Sequence, residues 1–175
     1  MTKNALVHAL AEHGEQLSDN NIAKLMEAYD HLSTFPDVNP SLIRLAADEN
    51  VHAVVFSNGS KTMVSNSVLR SKDLAPHASI FQDLITVDEI QRYKPTPASY
   101  QHLARKMGKQ KSQMDQIWLI SGNPFDIVGA RSVGMQAIWV DRARRGWQDA
   151  AVPELRPTAI VHSLEQIVKE IQGRK

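Results

Sequence analysis

The 175-residue chain contains no cysteine, which removes thiol nucleophiles, disulfide staples and zinc–thiolate centres together. It also has little excess charge: 20 Lys and Arg stand against 19 Asp and Glu, a balance that creates no field for nucleic acid or an acidic membrane surface. Long apolar runs are missing as well. The longest extend over a few residues, too short for a bilayer, and the opening Met1-Thr2-Lys3-Asn4 lacks the apolar stretch of a secretory signal. The expectation is a soluble, cytoplasmic protein whose partner is a small molecule, with neither nucleic acid nor membrane bound. The length suits one domain with its own core and a small appendage.

Residues 3 to 32 carry helical periodicity. Leu6, Ala9, Leu10 and His13 recur at three to four residues, and Ile22, Leu25, Met26, Tyr29 and Leu32 repeat the pattern after a break at Gly14. Phe35-Pro36-Asp37-Val38-Asn39-Pro40 then interrupts it, because proline removes a donor and biases its predecessor away from helix. A boundary is placed there, with residues 1–38 as a helical appendage and 39–175 as the core.

Beyond it, helix and strand alternate. Helices are expected over Leu42 to Glu49, Thr62 to Leu74, Thr96 to Met107, Pro124 to Val133 and Ser163 to Ile171; strands over His52 to Phe56, Leu84 to Val87, Ile117 to Ile120, Gln136 to Val140 and Ala159 to Val161. Strands separated by helices of this length predict right-handed crossovers and a mostly parallel α/β sheet. In such sheets ligands gather at the carboxyl ends of the strands.

Polar groups follow three of those ends. Ser57-Asn58-Gly59-Ser60 offers a hydroxyl, an amide and successive backbone N–H groups before a helix. Arg92-Tyr93-Lys94-Pro95-Thr96-Pro97 places a lysine between a strand and two rigid prolines, with Tyr100 three residues after the second. Ser121-Gly122-Asn123-Pro124-Phe125-Asp126 supplies a hydroxyl, an amide and a carboxylate. Taken singly, each has a structural reading too: a turn, a solvated charge, a core tyrosine, a helix cap. The seven histidines are scattered without ligand spacing, so no metal site is implied.

In order and spacing these motifs resemble the L-2-haloacid dehalogenases of the haloacid dehalogenase superfamily, over nearly the whole chain. Glu27-Ala28-Tyr29-Asp30 and Phe35-Pro36-Asp37-Val38 resemble the end of that family's helical cap. The resemblance implies a Rossmann-like parallel sheet with a reduced cap and no cofactor. By it, Ser57 and Asn58 would hold a substrate carboxylate or oxyanion and Lys94 would take the charge-balancing position. Tyr100, Ser121 and Asn123 would shape a polar pocket, and Asp126 would activate water. Asp126, Lys94 and Tyr100 are thus the expected catalytic groups, and Ser57, Asn58, Ser121 and Asn123 the expected substrate-binding ones.

One family feature has no counterpart. The nucleophilic aspartate of its first strand stands in a motif that ends in Gly-Thr, and that dipeptide does not occur in the chain. The family's cap arginine also lies in the absent segment. The expectation is therefore a sheet without its first strand, and hydrolysis without the family's enzyme ester. Chains of this family that lack the first motif open epoxides of polyene pyrones in fungal polyketide pathways, and this chain resembles them; a non-catalytic paralogue is the alternative. The family's first strand lies between those that here end at Ser57 and Ser121. Its loss would expose strand edges that a homodimer, or direct re-pairing of the two flanking strands, would cover.

Overall fold

The computed structural model describes residues 2–28 and 33–174. Two helices come first, α1 (Thr2–Glu12) and α2 (Asp19–Ala28), separated at Gly14, whose φ of +66° suits a residue without Cβ. Tyr29 and Leu32 of the predicted helical pattern, and Asp30 of the cap-like stretch, lie outside the described residues. Next, α3 (Val38–Ala46) starts four residues earlier than the pattern around Leu42 predicts. Pro40 is the reason for the difference: it sits in the first turn, where an N–H would have no intrahelical acceptor, so it starts the helix rather than interrupting it.

The α/β part follows as β1 (Ala53–Ser57), α4 (Lys61–Leu69), β2 (Phe81–Thr86), α5 (Pro97–Lys106), β3 (Trp118–Ser121), α6 (Pro124–Ser132), β4 (Gln136–Val140), β5 (Ala159–Val161) and α7 (Ile167–Gln172). Short 3₁₀ turns at Ala75–Ile80, Val87–Glu89 and Lys111–Gln116 fill connections that carry no apolar period. Every described strand pairing is parallel, as the alternation of elements predicts.

The sheet nevertheless comes in two pieces. β1 pairs with β2, β3 pairs with β4 and β4 with β5, and among the described residues β1 and β3 are not joined. These are the two strands that end at Ser57 and Ser121. The direct re-pairing expected as one way to close the sheet is therefore not adopted. All five residues of β1 are half-buried, whereas four of the five residues of β4 are buried. In β4 the alternation of side chains shows both faces covered: Ala137 and Trp139 enter one apolar cluster, Ile138 and Val140 the other.

What spans the gap is packing. The larger cluster gathers Tyr100 and Leu103 of α5, Ile127 and Ala130 of α6 and Leu119 of β3, and Val54 and Phe56 of β1 pack against it. Lys94, Asp126 and Tyr100 all stand in this bridge. Among the described residues no helix is long and apolar enough to cross a membrane.

The segment before α3 is tied to the segments that follow β4 and β5. Asp37 accepts hydrogen bonds from Arg142 Nε at 3.0 and 3.1 Å and from the Leu164 amide at 2.8 Å, and the Arg142 guanidinium lies 4.3 Å from the centre of the Phe35 ring. Burial acts to raise the Asp37 carboxyl, but the Leu164 and Arg142 bonds outweigh it and hold the group below its ordinary value. A depressed carboxyl contributes stability above its unfolded pKa of about 3.9 and loses it as pH falls through the folded value. Asp37→Ala should therefore cost about 1–3 kcal/mol at pH 7, with the solvent-facing part of Arg142 setting the lower end. Urea melts at pH 7 and pH 3 check this: an equal penalty at both would show that the charge is not what matters.

Candidate functional site

The chain brings its three expected catalytic residues into direct contact. Asp126 lies in the first turn of α6, which Asn123 precedes and Pro124 opens with a preset φ. Tyr100 faces it from α5, where Pro97 opens the helix. Lys94 comes from the irregular connection before α5. Lys94 Nζ donates to Asp126 Oδ2 at 2.8 Å, and the Tyr100 hydroxyl donates to Oδ1 at 2.7 Å and to the Asp126 carbonyl at 3.2 Å. The side chains of Lys94 and Asp126 are 9% and 5% exposed, so the pair interacts with little screening. Each carboxylate oxygen carries one donor and keeps a lone pair for water.

Burial pushes the Tyr100 phenol far above its ordinary value, and the hydrogen bond to Asp126 and the charge on it push the same way. Tyr100 therefore remains a donor throughout the working pH range. Lys94 has two further supports: it donates to the Phe56 carbonyl at 3.3 Å and stands 4.7 Å from the centre of the Phe56 ring. Phe56 in turn meets Tyr100 edge-on at 5.8 Å.

The expected substrate-binding residues occupy the strand ends on either side of the gap. Ser57 Oγ, at the end of β1, accepts the Gly59 amide at 3.0 Å; Ser121 Oγ, at the end of β3, accepts the Asn123 amide at 3.1 Å. These matching turns leave each hydroxyl proton unused among the described residues. The Asn123 side chain is exposed and makes no cap bond to α6, so the cap reading does not account for it. The Asn58 carboxamide is directed at the backbone of Lys94: Oδ1 accepts the Lys94 amide at 2.8 Å and Nδ2 donates to its carbonyl at 3.3 Å.

An open cavity of about 470 Å³ lies beside the ends of β3 and β4, lined in part by Phe35, Asn123, Pro124, Trp139, Asp141 and Arg142. Lys94, Asp126 and Tyr100 do not line it; of the expected site residues Asn123 does. Burial acts to raise Asp141, but the amides of Gly146 and Arg145 outweigh it and hold the carboxyl below its ordinary value. Trp139, at the cavity wall, meets Trp147 edge-on at 5.1 Å.

Sequence reasoning did not single out Gly129, one turn after Asp126. A Cβ there would meet the Tyr100 ring at 2.6 and 2.7 Å. A glycine inside a helical pattern was the available signal.

Similarity to known proteins follows the same residues. The family model for haloacid dehalogenase-like hydrolases matches residues 2–134. A haloacetate dehalogenase of Moraxella sp. (strain B) is 29% identical over 141 residues, which cover 81% of this chain and 59% of that protein. An (S)-2-haloacid dehalogenase of Pseudomonas fluorescens is 29% identical over 168 residues, covering 95% of this chain and 68% of that one. The crystal structure of an L-2-haloacid dehalogenase superposes with a TM-score of 0.84 at 27% identity, over 98% of this chain and 70% of the other. The chain thus spans between three fifths and about two thirds of the two relatives' length. With most of its residues inside the family match, the chain belongs to the haloacid dehalogenase-like hydrolases.

Proposed function

We propose that this chain adds water directly to an electrophilic carbon of a small organic substrate, and that the substrate is an epoxide of the polyene pyrone type. The observation that carries the reading is the 2.8 Å contact between Lys94 and Asp126. Asp126 takes a proton from water as the water oxygen bonds to carbon, the carbon–oxygen bond of the ring breaks, and the Lys94 ammonium protonates the departing oxygen. Because the two groups touch, the proton gained by Asp126 returns to Lys94 and the site resets. Tyr100 steadies the carboxylate throughout, and the unused hydroxyl protons of Ser57 and Ser121 are available to a substrate oxygen. Ring strain supplies the leaving tendency, so no enzyme ester is required.

The names of the relatives favour a second reading, hydrolysis of a 2-haloacid. A halide leaves without a proton, so that chemistry makes no demand on Lys94 as an acid. Single turnover in ¹⁸O-water separates the routes. Direct attack places the label in the diol, whereas an ester route first places an unlabelled enzyme oxygen in the product and the label in the protein. Labelled protein would reject direct attack; halide release from (S)-2-chloropropionate without epoxide opening would replace the substrate class. If neither substrate is consumed, and Asp126→Asn and Lys94→Ala leave ligand binding unchanged, the non-catalytic reading replaces this one.

A further inference from the structure

We infer that Asn58 is a positioning residue, whose carboxamide holds the backbone of Lys94 and so aims its ammonium at Asp126, rather than a residue that contacts substrate. The inference rests on the reading in which Lys94 takes part in the chemistry.

The geometry is specific. Lys94 lies in the connection between β2 and α5, 36 residues from Asn58, and its peptide groups have no partner in a helix or strand. Asn58 supplies one donor and one acceptor on a single rigid plane, and both go to the same residue, to the Lys94 N–H at 2.8 Å and to its carbonyl at 3.3 Å. A serine could not span the two groups, and an aspartate could serve only the N–H. Asn58 also follows directly on β1, so the clamp fixes the lysine to the sheet rather than to a neighbouring loop.

The other end of Lys94 meets the same strand. Its ammonium donates to the Phe56 carbonyl at 3.3 Å and stands over the Phe56 ring, two positions before Asn58. A lysine side chain has four rotatable bonds and a large rotamer entropy. Holding it at both the backbone and the head leaves few conformations besides the one that reaches Asp126. Remove the backbone clamp and the ammonium is held only by what it touches.

The test uses the full chain with Asn58→Ala and Asn58→Asp, and has two readouts. Amide hydrogen exchange of Lys94, followed by NMR, does not depend on any activity. In Asn58→Ala it should quicken about tenfold, the size of one net hydrogen bond, while amides inside α5 keep their protection. In Asn58→Asp, which retains an acceptor, Lys94 should stay protected. Turnover of whichever substrate the ¹⁸O experiment identifies should show kcat falling about tenfold or more with KM nearly unchanged, because the loss is of an aligned group and not of binding. Unchanged Lys94 exchange in Asn58→Ala would overturn the inference, as would a raised KM at unchanged kcat, the signature of a lost substrate contact. An inactive wild-type chain would defeat the proposed function alone, since the exchange readout still decides where Asn58 acts. Should Asn58→Ala fail to fold, Asn58→Asp decides: rapid Lys94 exchange in a folded protein would again overturn it.

Discussion

Asp126→Asn should lower turnover by about 10²- to 10⁴-fold, the range that one general acid–base group supplies. Lys94→Met should lose a similar factor, and the double variant little more than either alone, because the two groups act on one proton cycle and their losses do not add. Stability should follow a different order. Asparagine at 126 leaves a lysine that is 9% exposed without its counter-charge, and breaking such a pair costs about 3–5 kcal/mol. Lys94→Met/Asp126→Asn removes both charges and should recover part of that loss while remaining inactive. Urea melts and turnover on the same preparations read the two quantities. If Asp126→Asn keeps full activity, Asp126 is no base, and the contact with Lys94 serves the fold only.

The strands that the sequence places correctly are those whose surroundings repeat the local pattern. Gln136 to Val140 is found as predicted because its apolar run is covered on both faces. Ala159 to Val161 likewise coincides, between loop segments. The segment at Lys111–Gln116 was invisible for the opposite reason: a 3₁₀ turn of mainly polar residues leaves no period, and only Met114 is buried. Pro40 misled because a proline carries the same sequence signal at a helix start as at a helix break.

The site was legible as a set of residues and not as a set of contacts. Lys94, Tyr100 and Asp126 each follow a strand end or open a helix, which sequence shows. That both Lys94 and Tyr100 donate to Asp126, across 32 and 26 residues, depends on how α5 packs on α6, which sequence does not show. The Asp37 to Arg142 tie spans 105 residues and joins two loops, so no local pattern announced it. The divided sheet has a similar lesson. No local pattern shows that β1 and β3 stay apart among the described residues, or that Phe56, Tyr100 and Ile127 meet in one apolar cluster.

Gly129→Ala should destabilise the protein although alanine is the better helix former by about 1 kcal/mol. The added methyl would stand 2.6 Å from Tyr100 Cε2 and 2.7 Å from Cζ, and nearer still to the phenol oxygen. Tyr100 cannot turn aside, since it is 0% exposed, lies against Phe56 and is hydrogen-bonded to Asp126. Overpacking of this kind costs about 1–3 kcal/mol, which in a domain of this size corresponds to a fall in Tm of about 2–12 °C. The displaced phenol should also release Asp126 Oδ1, so turnover should fall with stability. Tyr100→Phe separates the contributions. It removes the oxygen but keeps the two ring carbons, so Gly129→Ala should cost less in the Tyr100→Phe background than in the wild type, yet still cost something. A rise in Tm for Gly129→Ala in the wild-type background would mean that the ring has room to move, and that the close approach of α5 to α6 is not what holds Tyr100 on Asp126.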